Sequence, residues 1–335
     1  MPVLKRRRMA ERVTGDGAAA RALAENSSGR SHGKISRMWS EDREKDAASG
    51  EKPRSGDPRS LLPVCGNERC RTGWLRLWRR RQTPRFEGFW ACSPECLEEM
   101  VRAAILRESG SGSSGEIVEH RHRVPLGLML YAQGLITQEQ LRAAVEAQRA
   151  AALRQEPPRR IGRWLIQQAS LDEMQLARAL SAQWNCPLFS AERLDAAQSA
   201  QLMPRLLVET CGAAPLRQAS SGRILMAFED APDHCLSLAL ERMHGVGVEA
   251  GVMAANEFRQ MRESLMGAKF PKLRLMEVAN RNVLARALAR RIEHFQPMDA
   301  ALVRVREYYW LRMWKTLDRD VGGAEDLLAV EATFS

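Results

Sequence analysis

The stretch RRIGRWLIQQASLDEMQLARALSAQ, residues 159–183, repeats the pattern of VPLGLMLYAQGLITQEQLRAAVEAQ, residues 124–148. At an offset of 35 positions, eight of the 24 residue pairs that follow the first one are identical. The identical positions include a glycine near the start of each copy and the glutamine that ends it. Such self-similarity in register predicts two copies of one supersecondary unit.

Each copy has the pattern of two short helices joined by a turn. Thr137 and Asp172 are good N-cap residues, and a glutamine follows each of them after three positions, which is the spacing of a capping box. Leu141 and Leu176 lie on the second helix of each copy, and the residue four positions later is also apolar. Because one such hairpin cannot bury its apolar face alone, we expect the two copies to pack together.

Packing explains the leucines of the repeats but not the glycines, Gly127 and Gly162. Each lies at the start of a predicted helix, where glycine costs stability unless another group approaches the backbone closely. Gln148 and Gln183 end the two copies at matched positions, and Arg160 opens the second copy. Two equivalent surfaces with amides and a cation suit a ligand that has two-fold symmetry, purine faces and phosphates.

This doubled pattern resembles the RLGxxLxxxGxxxxxxLxxxLxxQ motif of the N-terminal domain of MshE-type type II secretion and type IV pilus assembly ATPases. That family carries the motif twice and uses the pair to bind cyclic di-GMP, and the resemblance covers about residues 120–267. It implies that this chain binds cyclic di-GMP as well. Pro125 stands where the first arginine belongs, and Ala169 replaces the second turn glycine. The implied ligand-binding residues are Leu126, Gly127, Leu130, Gly134, Leu141 and Gln148 in the first copy, and Arg160, Ile161, Gly162, Leu165, Leu176, Leu180 and Gln183 in the second.

Four of the seven cysteines form two pairs, Cys65-x4-Cys70 and Cys92-x3-Cys96. Four thiolates complete the tetrahedral coordination of Zn²⁺ and leave no open position for chemistry. The Ser-Pro dipeptide inside the second pair indicates the start of a helix. The arrangement resembles a treble-clef zinc finger, so the sequence predicts a structural zinc site, with four free thiols as the alternative.

Between the cysteine pairs, residues 71–86 contain six arginines, no acidic residue, and the tryptophans Trp74 and Trp78. Arginines interleaved with aromatic side chains can clamp phosphates and stack on bases. The segment therefore favours contact with nucleic acid or another anion. The alternative is a basic hairpin whose tryptophans pack on the zinc core.

The predicted fold class is α+β: a small four-cysteine zinc finger, tandem helical-hairpin repeats and a small α/β unit. A flexible linker of composition SGSGSSGE separates the finger from the repeats. A basic amphipathic helix is expected at residues 273–295, followed by an aromatic segment. The predicted domains are a disordered basic tail at 1–60, the zinc finger at 61–108, the linker at 109–118, the repeats at 119–184, the α/β unit at 185–268 and a C-terminal helical and aromatic extension at 269–335.

The sequence favours a non-enzymatic regulatory protein. It contains no GxxxxGK[ST], so the ATPase of secretion motors is absent, and no HExxH or GxSxG motif occurs. The net charge of +10 favours an anionic partner, no apolar run is long enough to span a membrane, and the cysteine usage favours the cytoplasm. Two alternatives remain: a scaffold of a secretion or pilus-type system that no longer binds nucleotide, and a zinc-finger protein that binds nucleic acid.

Overall fold

The computed structural model describes residues 65–70, 84–113, 123–157, 159–169, 171–316 and 323–332, all of them in the unit Leu62–Ser335. The predicted disordered tail lies outside these residues. The described residues mix helices and strands, which confirms the α+β fold class. The helices are α1 (Pro94–Ser113), α2 (Leu126–Ala132), α3 (Gln138–Leu153), α4 (Ile161–Ala169), α5 (Glu173–Trp184), α6 (Ala196–Leu202), α7 (Arg205–Cys211), α8 (His234–His244), α9 (Ala255–Met266) and α10 (Arg281–Phe295). The strands are β1 (Arg85–Phe86), β2 (Phe89–Trp90), β3 (Ala213–Gln218), β4 (Ile224–Phe228), β5 (Val248–Val252), β6 (Lys272–Val278), β7 (Asp299–Val305), β8 (Tyr308–Trp314) and β9 (Glu325–Glu331).

The two repeats form helical hairpins, α2–α3 and α4–α5, as predicted. The Thr137 hydroxyl accepts from the Gln140 N–H at 3.2 Å, and the Thr137 N–H donates to Gln140 Oε1 at 2.7 Å, so the predicted capping box is confirmed. The second hairpin repeats this contact, with the Asp172 N–H donating to Gln175 Oε1 at 3.0 Å. Equivalent leucines, Leu130 and Leu165, are fully buried in one core that both hairpins share.

The central α/β unit follows the repeats. Strands β3 and β4 form an antiparallel hairpin, and β5 joins β4 in parallel. Helix α8 begins after Asp233, whose carboxylate accepts from the Leu236 N–H at 3.1 Å. Helix α9 begins at Ala255, so Asn256 lies inside its first turn.

The C-terminal segment is a four-stranded sheet with one helix, not the helical and aromatic extension that the sequence predicted. The sheet order is β6-β9-β8-β7, in which β6 is parallel to β9 and the other pairs are antiparallel. The predicted helix at 273–295 divides into β6 and α10. The side chains of KLRLMEV (272–278) alternate as a strand requires, and Asn280 then caps α10 by accepting from the Asn282 and Val283 N–H groups.

The helix of the cysteine finger belongs to the core of this sheet. Val101 and Ile105 of α1 pack with Leu284 and Leu288 of α10 and with Leu311 of β8 in one buried cluster. Moreover, α1 runs to Ser113, so the first five residues of the predicted linker are helical. Periodicity could not reveal this packing, because the partners of α1 lie more than 150 residues away in the sequence.

The opposite face of the C-terminal sheet packs against the central unit through a buried charged pair. Arg312 donates to both carboxylate oxygens of Asp326 at 2.7 Å, and the Trp310 indole N–H donates to the same carboxylate at 2.9 Å. Arg312 also donates to the Gln201 carbonyl at 2.7 Å, at the end of α6. This guanidinium therefore ties the sheet to the central unit, and the bidentate geometry offsets the cost of burying both charges.

Candidate functional site

The four predicted zinc ligands converge. The sulfur atoms of Cys65, Cys70, Cys92 and Cys96 all lie within 4.8 Å of one another, with 3.5 Å between Cys70 and Cys92 and between Cys92 and Cys96. Zn–S bonds of about 2.3 Å in a tetrahedral site place the sulfurs about 3.8 Å apart. The donor set therefore fits a metal ion with four thiolate ligands.

Local structure positions each cysteine pair. The Ser93 hydroxyl accepts from the Cys96 N–H at 3.3 Å, so Cys96 lies in the first turn of α1, as the Ser-Pro signal predicted. The Cys92 N–H donates to Cys65 Sγ at 3.4 Å and links the two pairs. Burial, followed by the neighbouring thiols of Cys70 and Cys96, raises the pKa of Cys92 to about 12. A cation that binds to Cys92 must therefore displace the proton of this thiol.

The hairpin between the cysteine pairs connects the finger to the sheet. At its tip, the Glu87 N–H donates to the Ala300 carbonyl at 2.6 Å, and the Gly88 N–H donates to the Asp299 carboxylate at 3.0 Å. The Glu87 carboxylate also forms a two-point ion pair with Arg107 of α1. The tip of the finger thus covers the outer edge of β7.

The predicted basic surface lies mostly outside the described residues. Of residues 71–86, the structure describes Pro84, Arg85 and Phe86, of which Arg85 is exposed. Trp74 and Trp78 are not among them. Nucleic-acid contact through this segment stays a prediction.

Two equivalent hydrogen bonds join the repeats. The Gln148 side chain, at the end of the first repeat, donates to the Arg159 carbonyl at 2.9 Å. The Gln183 side chain, at the end of the second repeat, donates to the Val124 carbonyl at 2.8 Å. Both the donors and the acceptors are 35 positions apart, so the two hairpins exchange the same contact in both directions. This reciprocity gives the pair an approximate local two-fold symmetry.

The repeated glycines serve helix packing. A Cβ atom on Gly127 would lie 2.5 Å from a Leu141 methyl, and one on Gly162 would lie 3.0 Å from a Leu176 methyl. The close approach that the sequence indicated is therefore made by a leucine of the same hairpin. Gly134 differs, since its φ of 69° places it in the left-handed turn between α2 and α3, where glycine carries no steric penalty.

The residues implied to bind the nucleotide divide by accessibility. The residues of one group are buried within the hairpins, whereas those of the other group reach the surface at least in part. The buried group is Gly127, Leu130, Gly162, Leu165, Leu176 and Leu180. The accessible group is Leu126, Gly134, Leu141, Gln148, Arg160, Ile161 and Gln183.

Arginine side chains lie near the start of each repeat. The Arg123 guanidinium lies 3.6 Å from the centre of the Trp184 ring, and its Nη1 is buried without a hydrogen-bond partner among the described residues. Arg160 is 65% exposed and lies 3.5 Å from the Asp230 carboxylate. Arg163 pairs with Glu229 at 2.7 Å. The sequence reasoning did not assign Trp184, although an aromatic residue directly after the closing glutamine was the available signal.

None of the helices in the described parts of the chain has both the length and the apolar character to cross a membrane. No protein-family model matches the chain, and no curated protein matches it either. Among solved structures, one described as MshE with cdg matches with 23% sequence identity and a TM-score of 0.35. The match covers 42% of this chain and 98% of the other chain.

Proposed function

We propose that the chain is a non-enzymatic regulatory protein that binds cyclic di-GMP through its two tandem repeats. The reciprocal contact between the repeats supports this proposal, because a ligand with two equal halves requires two equal surfaces. The Gln148 and Gln183 amides mark the matched ends of those surfaces. Arg123 on Trp184 and the exposed Arg160 supply cations for phosphates and flat faces for guanine.

The first experiment is calorimetry of the full chain with cyclic di-GMP. We expect saturable binding, and we expect Arg160→Ala to weaken it about tenfold, because one charge-assisted hydrogen bond contributes about 1.5–3 kcal/mol. Arg205→Ala is the matched control, since Arg205 is also exposed and ion-paired but lies in the central unit. Absence of binding at saturating nucleotide contradicts the proposal, as does an equal loss in both variants.

A scaffold function is the second candidate. This candidate is supported by contacts within the chain. Gly127 and Gly162 pack against leucines, and Gln148 and Gln183 donate to backbone carbonyls, so packing alone can explain these residues. In that case the repeats present a protein-binding surface, for which a component of a secretion or pilus-type system is the proposed partner. The two candidates separate in the same titration, because a scaffold gives no heat with the nucleotide.

We also propose that the four cysteines hold one structural Zn²⁺. The metal would join the loop of Cys65 and Cys70 to the first turn of α1, and it would supply folding energy with no catalytic role. Metal analysis of the purified chain should give about one zinc per molecule. Replacement of Cys96 by serine should remove it, whereas replacement of the exposed Cys235, which is remote from the cluster in sequence, should not.

A further inference from the structure

The fold covers the edges of its sheets with other parts of the chain. At the edge of β3, the Asp195 N–H donates to the Leu216 carbonyl at 2.8 Å. At the edge of β5, the Phe189 N–H donates to the Val252 carbonyl at 2.8 Å. The tip of the finger covers β7, as described above. Such covering prevents edge strands from pairing with other chains.

Strand β6 is the exception among the larger sheets of the described chain. It pairs with β9 along all seven residues on one side, from Lys272 to Val278. On its other side, no described residue donates to or accepts from its backbone. The strand contains no proline and no bulge, and Leu275 in its middle is 66% exposed. A regular open edge with an exposed apolar side chain is a template for one more strand.

We propose that β6 is a homodimer interface, in which two copies of the chain pair antiparallel across a two-fold axis at Leu275. The residues of β6 alternate between the face that carries α1 and α10 and the face toward the central unit. A two-fold axis perpendicular to the sheet keeps each face continuous between the copies. The product is one eight-stranded sheet with β6 and the partner's β6 at its centre.

The side chains of β6 favour the register centred on Leu275. The two Leu275 side chains then face each other at the axis, and each Leu273 faces the partner's Glu277. A centre at Arg274 would place two guanidinium groups directly opposite each other, which is destabilising. A centre at Met276 would instead separate the two Leu275 side chains and place each of them opposite the partner's Glu277. In the favoured register Arg274 faces the partner's Met276, and its own charge is balanced by Glu325 at 2.8 Å.

The test is light scattering of the full chain at about 1–100 µM, a range that includes the micromolar dissociation constants of small interfaces. We expect a mass that rises toward twice the 37.7 kDa of one chain. Leu275→Lys and Leu275→Glu should each remain monomeric, because like charges would meet at the axis. An equimolar mixture of the two variants should recover the dimer. Leu128→Lys is the control, since Leu128 is 52% exposed on α2 and lies outside the sheet.

Each outcome decides the proposal. Recovery of the dimer only in the mixture supports both the interface and its register. A dimer that persists in Leu275→Lys, or a wild-type chain that stays monomeric up to 100 µM, overturns it. Binding of an unrelated extended peptide to a monomeric wild-type chain would also overturn it, because the occupant would then be a foreign strand. Circular dichroism of the variants checks the fold, which an exposed position should leave unchanged.

Discussion

Loss of the proposed metal should unfold the C-terminal sheet as well as the finger. Helix α1 begins at the cysteine site and buries Leu97, Met100, Val101 and Ile105 against the sheet and α10. Burying one such side chain contributes about 1.5–3 kcal/mol, so detachment of α1 would remove roughly 6–12 kcal/mol. The net stability of a domain is only about 5–15 kcal/mol. The sheet therefore has little stability left once the first turn of α1 is released.

Hydrogen exchange with and without a chelator measures this effect along the chain. We expect the amides of β7 and β8 to lose most of their protection when the metal is removed, although these strands contain no ligand. The amides of α2 to α5 should keep most of theirs, because the repeats have a separate core. Cys96→Ser should reproduce the effect, and Cys235→Ser should not. If β7 and β8 stay protected in metal-free protein, the dependence of the sheet on α1 is wrong.

Two further predictions concern stability, measured by urea denaturation. Gly127→Ala should be more destabilising than Gly162→Ala, by about 1 kcal/mol, because its added Cβ would lie nearer to a leucine methyl, at 2.5 Å against 3.0 Å. Equal effects of the two substitutions would contradict the packing role. Arg312→Ala should lower the free energy of unfolding by about 3–5 kcal/mol, since it leaves the Asp326 carboxylate buried and unpaired. The double variant Arg312→Met with Asp326→Leu should lower it much less, because it removes both charges. A double variant as unstable as the single one would refute that explanation.

Local signals in the sequence predicted the local structure well. The capping boxes at Thr137 and Asp172 set the starts of α3 and α5, since a side chain there satisfies a backbone group at short range. The Ser-Pro signal likewise placed Cys96 in the first turn of a helix. These features depend on residues within a few positions of each other, so one sequence is enough to find them.

Long-range packing was not predictable in the same way. The sequence predicts an amphipathic helix across β6, because Leu273, Met276 and Leu284 also fit a helical spacing; the N-cap Asn280 is what separates the strand from α10. Helices α1 and α10 pack together through their apolar faces, and no other sequence feature links the two segments. Neither the composition nor the periodicity of either segment indicates which partner it will meet.

The two repeats differ in how they pack on the central unit, and the sequence contains a local signal of this difference. Helix α5 packs on β5 and α9, and Ala177 on it is buried. The equivalent residue of α3 is Arg142, which is exposed. The second repeat thus has a small apolar residue where the first has a long cation, which is consistent with the packing of α5 on the central unit.

The crossed glutamines have a consequence for how this region can be shortened. The glutamine at the end of each repeat donates a hydrogen bond to the backbone at the start of the other repeat. Removal of either hairpin would therefore remove both hydrogen bonds and half of the shared core. A protein with a single copy would need another helix to cover the apolar face that the lost hairpin had buried. The two copies are therefore expected to be retained or lost together.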